Sequence, residues 1–172
     1  MAKLNTDRLL FGVFLIILIA VAEIVFSAFK ADSWLWPGFL VMIWFFVDNM
    51  DKKKIPAIIV GGLFGIFGIL ISKYLFIGLL GPVLGPELAR LIFILVFIYL
   101  IVAFGEALPV LFNNYGFMAL LVAAIAIRGK SLPNENMDIS ILIWMGVYLV
   151  LGLIYIYGIL GIVKLLGAMK KK

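Results

Sequence analysis

The sequence predicts an all-α integral membrane protein: one transmembrane domain over residues 1–172, with six membrane-spanning helices in two inverted three-helix repeats. Hydrophobic residues make up 66% of the chain, charged residues make up 13%, and the mean hydropathy is +1.28. Apolar stretches of about 20 residues, the length that a helix needs to cross a bilayer, recur along the chain. They lack the alternating pattern of membrane β-strands, and lipid offers no hydrogen bonds to other backbone conformations, so each stretch is expected to be helical.

The first apolar stretch, residues 9–29, is expected to remain in the membrane as a helix. It lacks the small-residue cleavage site of a signal peptide, contains Glu23 and is followed by further apolar stretches.

Proline marks the beginning of the second and fifth spans. Residues 34–48 contain Pro37, and residues 108–127 contain Pro109. A first helical turn tolerates proline because the N–H group that proline lacks would have no partner there. Both segments are therefore expected to be short, proline-started helices.

The other spans are longer and are bounded by turn residues. The third span covers residues 55–75, and the glycine- and proline-rich run at residues 81–86 is expected to break the chain before the fourth span, residues 87–104. The sixth span covers residues 141–166.

Glycines form a stripe along the third span. Gly61, Gly65 and Gly68 are spaced by four and three residues and so share one helix face. Such a stripe lets another backbone approach closely, which predicts a helix-packing face within the molecule or between subunits.

The two halves of the chain have the same order of helices. Residues 9–80 and 86–166 each contain a long helix, a short proline-started helix and a long glycine-rich helix, and Pro37 and Pro109 lie 72 positions apart. Three crossings are an odd number, so the second copy would run in the opposite sense. Inverted repeats with short or interrupted helices build the substrate site of many secondary transporters.

Glu23 is the first candidate site residue. It lies about 21 Å along the first span, within the hydrocarbon layer, where a carboxylate is costly unless it faces protein or water. It is a candidate proton or cation site, and the alternative is a structural carboxyl bonded to a neighbouring helix.

A second candidate group comprises Glu106, Asn113, Asn114 and Tyr115. Glu106 and Asn113 are seven residues apart and share one face if the fifth helix starts near Gly105. Adjacent amides suit urea-like, amide or hydroxylated solutes, or a partly dehydrated cation. Alternatively, Glu106 lies at the membrane interface and the asparagines bond between helices.

Asp48 and Trp44 lie four residues apart at the end of the second span and share one face. Asp48 is shallow enough to be solvated, so the pair is a candidate cytoplasmic entrance to a pathway. The alternative is an anchor at the membrane interface.

Missing residue types exclude several classes of chemistry. The chain has no cysteine and no histidine, which excludes disulfides, thiol nucleophiles, His-ligated haem and His-based triads. We expect no metal, no cofactor and no enzymatic activity. The net charge of +5 comes from basic residues beside apolar spans, which indicates lipid headgroups as partners and not nucleic acid.

The distribution of basic residues predicts the orientation. With six crossings both termini share one side, and nine lysines and arginines then lie on the side of the termini against five on the other. The positive-inside rule places both termini in the cytoplasm and the protein in a cell inner membrane.

The chain resembles a family of small six-helix bacterial inner-membrane proteins of unknown function. The resemblance is carried by three segments: residues 33–39 (SWLWPGF), the glycine-rich residues 61–68, and residues 108–117. It implies six helices and an inner membrane, and it implies no substrate.

The predicted function is membrane transport, as a transporter or a channel for a small solute or ion, by a homo-oligomer. The alternative is a non-transporting membrane scaffold or accessory subunit that binds partner helices through its glycine faces. A lipid-modifying enzyme is a third option, for which the sequence offers no nucleophile or metal constellation.

Overall fold

The computed structural model describes residues 6–169, which are largely helical and include no strand. The α-helices are α1 (Thr6–Ala28), α2 (Trp36–Val47), α3 (Ile55–Ile71), α4 (Gly78–Leu84), α5 (Pro86–Phe104), α6 (Asn114–Arg128) and α7 (Met137–Met169). Short 3₁₀ turns at Asp32–Trp34 and Lys52–Lys54 precede α2 and α3, and a π turn at Ser72–Ile77 joins α3 to α4. Lys3 and the last three lysines, which were counted for the orientation, lie outside the described residues.

Four helical stretches are long and apolar enough to cross a membrane: Arg8–Ala28, Lys52–Leu84, Pro86–Phe104 and Met137–Met169. The other two apolar helices, α2 and α6, contain 12 and 15 residues, which corresponds to about 18 and 22 Å. The hydrocarbon core of a bilayer is about 30 Å thick. The all-helical class is thus as predicted, with four long apolar helices and two short ones.

The break before α5 lies at a single residue, Gly85. Its φ of 84° is in the left-handed region, which glycine adopts without a steric penalty, and Pro86 then begins α5. The break predicted over residues 81–86 is too long, because helix α4 continues through Pro82 as far as Leu84.

The start of α6 differs from the prediction. The backbone of Asn113 is extended, and its side-chain oxygen accepts a hydrogen bond from the Gly116 N–H at 3.1 Å, as an N-cap residue does. Pro109 lies in the turn before this cap, so the helix start expected at Pro109 is wrong. An asparagine side chain supplies the acceptor that a helix N-terminus needs, and proline has none. Pro37, in contrast, lies in the first turn of α2.

Helices α3 and α6 run parallel along a line of glycines. The contacts advance in the same direction on both helices: Gly61 lies beside Asn113, Gly65 beside Gly116 and Gly68 beside Leu120. A methyl group added at Gly65 would overlap the Gly116 carbonyl, so the two backbones touch there.

Helix α7 runs antiparallel to α3. Tyr148 contacts Ile58 near the start of α3, whereas Asp138, ten residues earlier on α7, pairs with Lys73 beyond the end of α3. We call the end of the bundle that contains the starts of α3 and α6 the Asp48 end, and the opposite end the Asp138 end.

Helix α2 packs on α7, and α1 and α5 lie outside this centre. Val41 of α2 fills the space left by Gly152 of α7. Helix α1 contacts α7 where Leu18 packs against Gly158. Helix α5 contacts α3 and the π turn through aromatic side chains. Each short helix therefore packs along a long helix of the other half of the chain: α2 on α7, and α6 on α3.

Candidate functional site

One ridge of α2 carries three residues at helical spacing. Trp36, Trp44 and Asp48 are separated by eight and four residues, so their side chains follow one another along the same side of the helix. Trp44 is 3% exposed and Asp48 is half-buried. The ridge leads from the tryptophan pair nearer the Asp138 end to the carboxylate at the Asp48 end.

A matching row of aromatic residues lies on α7. Trp144, Tyr148 and Tyr155 are each fully buried, and their spacings of four and seven residues put them on one face. The rings of Trp36 and Trp144 meet edge to face with centroids 5.1 Å apart, and those of Trp44 and Tyr148 lie 6.2 Å apart.

Four buried hydrogen-bonding groups on these two helices have no partner among the described residues. They are the indole nitrogens of Trp36, Trp44 and Trp144 and the hydroxyl of Tyr155, and we call these four residues the aromatic seam. A buried donor without an acceptor costs about 1–3 kcal/mol, and most buried polar groups in proteins are paired. Four such groups along one pair of helices indicate a place where a polar guest would be stabilised.

The Asp48 end of the seam is closed by a contact between α2 and α6. The Tyr115 hydroxyl donates to the Asp48 carboxylate, and the Tyr115 ring lies 5.5 Å from the Trp44 ring. The structure thus brings together three residues that the sequence singled out separately: Trp44, Asp48 and Tyr115.

Asn113 is held on α3. Its amide nitrogen donates to the Ala57 carbonyl at 3.2 Å, as well as to two carbonyls of its own turn, Pro109 at 2.9 Å and Val110 at 3.1 Å. Its oxygen caps α6. Within the described residues both ends of this side chain are used for structure, and Gly61 leaves the space that the amide occupies.

Tyr148 uses the next carbonyl of α3 in the same way. Its hydroxyl donates to the Ile58 carbonyl at 2.6 Å. Gly62 makes this approach possible, because a methyl group at that position would overlap the Tyr148 hydroxyl. Helices α6 and α7 are therefore both tied to the first turns of α3 by side-chain donors.

Asn114 and Glu106 take no part in this arrangement. Both side chains are exposed, and neither makes a side-chain hydrogen bond within the described residues. The expectation that Glu106 and Asn113 share a helix face is wrong, because residues 105–113 are not helical and α6 begins only at Asn114.

Glu23 lies apart from the asparagines. Its side chain is exposed on α1, in a shallow surface depression that it shares with Ser27 and Asp32. Asn113 lies at the Asp48 end. No hydrogen bond within the described residues connects Glu23 with either asparagine, and the common space predicted for the three residues stays a prediction.

The unpaired groups of Trp36, Trp144 and Tyr155 were not among the predicted site residues. Their signal in the sequence is weak: three aromatic residues at spacings of four and seven in α7, and a tryptophan pair eight residues apart in α2. Such rows are typical of ordinary helix packing, and only the contacts in the structure show which polar atoms lack a partner.

Residues 6–169 contain no group of three or more acidic side chains that could hold a metal ion. Comparisons of the chain with protein-family models, with curated proteins and with solved structures find no match. The resemblance to six-helix bacterial inner-membrane proteins therefore stays a prediction.

Proposed function

We propose that this protein moves a small solute across a membrane along the aromatic seam between α2 and α7. The observation that carries the proposal is the set of four buried hydrogen-bonding groups without a partner. In a dry apolar core each of these groups would destabilise the fold, because it would have no hydrogen-bond partner. A solute or water molecule that moves along the seam would form a hydrogen bond with each group in succession.

The chemistry of the seam selects a class of solute. An indole N–H is a donor only, so three of the four groups require an acceptor on the guest. The remaining contact between α2 and α7 is apolar, as at Val41 and Gly152, and none of the seam residues is a cation. These properties favour a small neutral solute with carbonyl or hydroxyl oxygens, such as an amide or a polyol, over a bare anion.

The directions of the helices support six crossings. Helix α1 is antiparallel to α2, since Phe11 contacts Phe46 while Ala22 packs with Leu35. Helix α2 ends at the Asp48 end, where α3 begins. Helices α1 and α3 therefore run in the same sense, and the chain has to return between them through α2. In the second half, α5 and α7 both run antiparallel to α3, whereas α6 runs parallel to it. The chain therefore has to return between α5 and α7 through α6.

The packing also supports an inverted repeat. Exchange of α1, α2 and α3 with α5, α6 and α7 converts the contact of α2 on α7 into the observed contact of α6 on α3. The contact of α1 on α7 has a looser counterpart, because α5 packs mainly on the π turn that continues α3 and meets α3 itself where Phe97 stacks on Phe64. The repeats we propose pack reciprocally, so the solute path would run along the boundary between them.

The contact between Tyr115 and Asp48 would act as the gate at the Asp48 end. It joins the two short helices, one from each proposed repeat, directly below Trp44. Separation of α2 from α6 breaks this contact and exposes the seam at that end. The three consecutive lysines Lys52–Lys54 lie at the same end, and the positive-inside rule therefore favours a cytoplasmic position for it in the proposed arrangement.

The test is solute flux into proteoliposomes, with a panel of amides, polyols, anions and cations. Trp144→Phe keeps the ring and removes the N–H, and we expect it to slow flux of the accepted solute about tenfold, the effect of one lost hydrogen bond of about 1.4 kcal/mol. Trp34→Phe is the matched control, because Trp34 lies outside the seam. If no solute enters faster than into protein-free vesicles, transport is refuted.

A second candidate function, a scaffold or accessory subunit, is favoured by the exposure of α1. Only 6% of the most apolar part of this helix is buried within the molecule, and Glu23 lies on the exposed surface. A carboxylate facing lipid is costly, so a partner helix or a second copy of the chain would cover it. Under this proposal Glu23→Leu changes the mass of the purified assembly and leaves solute flux at the level of empty vesicles.

A further inference from the structure

A cavity lies between α3, α5 and α6 at the Asp138 end, away from the aromatic seam. Its volume is about 340 Å³, within the range of small-molecule sites. Its wall is mainly aliphatic and aromatic, with Ile69, Phe93, Leu120 and Ala124 among the lining residues.

Three basic side chains also line this cavity: Lys73, Arg90 and Arg128. Lys73 pairs with Asp138 at 2.6 Å, and Arg90 pairs with Glu87 at 3.0 Å on the exposed surface of α5. Arg128 forms no ion pair within residues 6–169. Three cations and two carboxylates leave one positive charge at the mouth of an apolar cavity.

The position of the cations along the helices matters as much as their number. Arg128 is the last residue of α6, and Arg90 is the fifth residue of α5. Helix ends lie near the headgroup region of a bilayer, where arginine and lysine extend their charged groups towards phosphates. Lys73 lies in the π turn, a widened helical turn of the kind that often occurs at functional sites.

We propose that this cavity binds one acidic phospholipid, with an acyl chain along the apolar wall and the headgroup phosphate on Arg128. The site has two chemically different parts, and a lipid is the ligand that matches both at once. A guanidinium binds a phosphate in a bidentate manner. The surplus positive charge favours an acidic headgroup over a zwitterionic one. A zwitterionic headgroup carries an ammonium group, and this second cation would be repelled by the basic side chains.

The experiment is native mass spectrometry of the purified full-length protein after incubation with equimolar phosphatidylglycerol and phosphatidylcholine of identical acyl chains. We expect phosphatidylglycerol to be retained in preference. Arg128→Gln should reduce this preference about fivefold, since one basic residue near an acidic lipid is worth about 1 kcal/mol. Lys130→Gln is the matched control: it makes the same charge change at the same end but does not line the cavity.

A change in the cavity wall tests the other half of the site. Ala124→Phe fills part of the cavity and should lower retention of both lipids, whereas Arg128→Lys keeps the charge and should keep most of the preference. If Arg128→Gln fails to fold, the wild-type protein still decides, because its preference for phosphatidylglycerol has to fall as sodium chloride is raised.

Three results would overturn the proposal. They are equal retention of the two lipids by the wild-type protein, the same loss of preference in Lys130→Gln as in Arg128→Gln, and displacement of phosphatidylglycerol by millimolar inorganic phosphate. The last result would show a site for a soluble anion.

Discussion

Gly62 is required because Tyr148 reaches the backbone of α3 across it. In an α-helix the carbonyl of residue i points towards residue i+4, so the residue nearest to the Ile58 oxygen is Gly62. We predict that Gly62→Ala displaces the Tyr148 hydroxyl and destabilises the protein by about 1–3 kcal/mol. The measurement is thermal unfolding in mild detergent.

Gly146 provides the control for this substitution. It also lies inside a long helix, but a methyl group added there would meet no atom within 4 Å. Gly146→Ala should leave stability unchanged or raise it by up to about 1 kcal/mol, because alanine is the better helix former. Equal effects of the two substitutions would show that the contact between Tyr148 and α3 is not formed.

Asn113 and Asn114 should behave differently although they are adjacent. Asn113→Ala removes the N-cap of α6 and the bond to the Ala57 carbonyl, and we expect it to cost about 1–2 kcal/mol of stability. Asn114→Ala should cost less than about 0.5 kcal/mol because the Asn114 side chain is exposed. Unfolding in detergent measures both, and a larger effect of Asn114→Ala would contradict the assigned cap.

The sequence singled out these polar residues but not their partners. Trp44, Asp48, Asn113 and Tyr115 were candidates because polar and amphipathic groups stand out in an apolar chain. Which carbonyl Asn113 meets, and whether its amide remains free for a solute, depends on the side chain of one helix meeting the backbone of another. The hydrogen-bond partner of such a side chain is determined by how distant segments of the chain pack together. The spacing of residues along one helix does not reveal it.

Helix α2 is shorter than the hydrocarbon core of a bilayer. It is therefore necessary to determine whether α2 crosses the membrane or lies along one surface. The chain contains no cysteine, which allows single cysteines to be placed at Asp32, Lys53 and Glu135. If α2 crosses, Lys53→Cys reacts with an impermeant thiol reagent from one side of oriented vesicles, and Asp32→Cys and Glu135→Cys react from the other. Labelling of Asp32→Cys and Lys53→Cys from the same side would place α2 along one surface.

The existence of the helices was predictable, and their ends were less so. Long apolar runs leave no alternative to a helix in lipid, and Gly85 followed by Pro86 marks the start of α5 clearly. The start of α6 was placed too early because proline was given more weight than asparagine. A proline restricts the backbone locally, but an asparagine with a free side-chain oxygen determines where the first N–H groups find a partner.

Reciprocal packing of the two halves makes a prediction about the molecule as a whole. Residues 1–85 and 86–172, expressed as separate chains, should each be unstable alone, because α2 would lack α7 and α6 would lack α3. Expressed together, they should assemble, and a tag on one half should capture the other. Two halves that are each monodisperse and do not associate would contradict the packing.

Gly65→Leu in the first half provides a specific control for this assembly. Its side chain would overlap the Gly116 carbonyl of the second half, and the two backbones would have to separate. We expect capture to fall about tenfold or more, corresponding to a loss of about 1.4 kcal/mol or more in a contact of this kind. Gly167→Leu in the second half meets open space and should leave capture unchanged.

The overall class followed from composition, whereas the arrangement of the helices did not. Hydropathy predicts how many apolar segments exist, but apolar helices resemble one another, and the sequence contains little information about which pairs touch. The spacing of the glycines at residues 61, 65 and 68 correctly predicted a helix-packing face. Only the contacts in the structure show that α6 packs on this face.

The parallel course of α3 and α6 has an electrostatic consequence. Each helix carries a macrodipole of roughly half a positive charge at its N-terminus, and in a parallel pair the two positive ends lie side by side and repel each other. Acidic residues are located where they offset this repulsion: Asp51 accepts the Lys53 N–H at the entry to α3, and Asp48 accepts the hydroxyl of Tyr115 in the first turn of α6. A carboxylate at a helix N-terminus is worth about 0.3–1 kcal/mol. These carboxylates therefore help two helices that share a direction to remain in backbone contact.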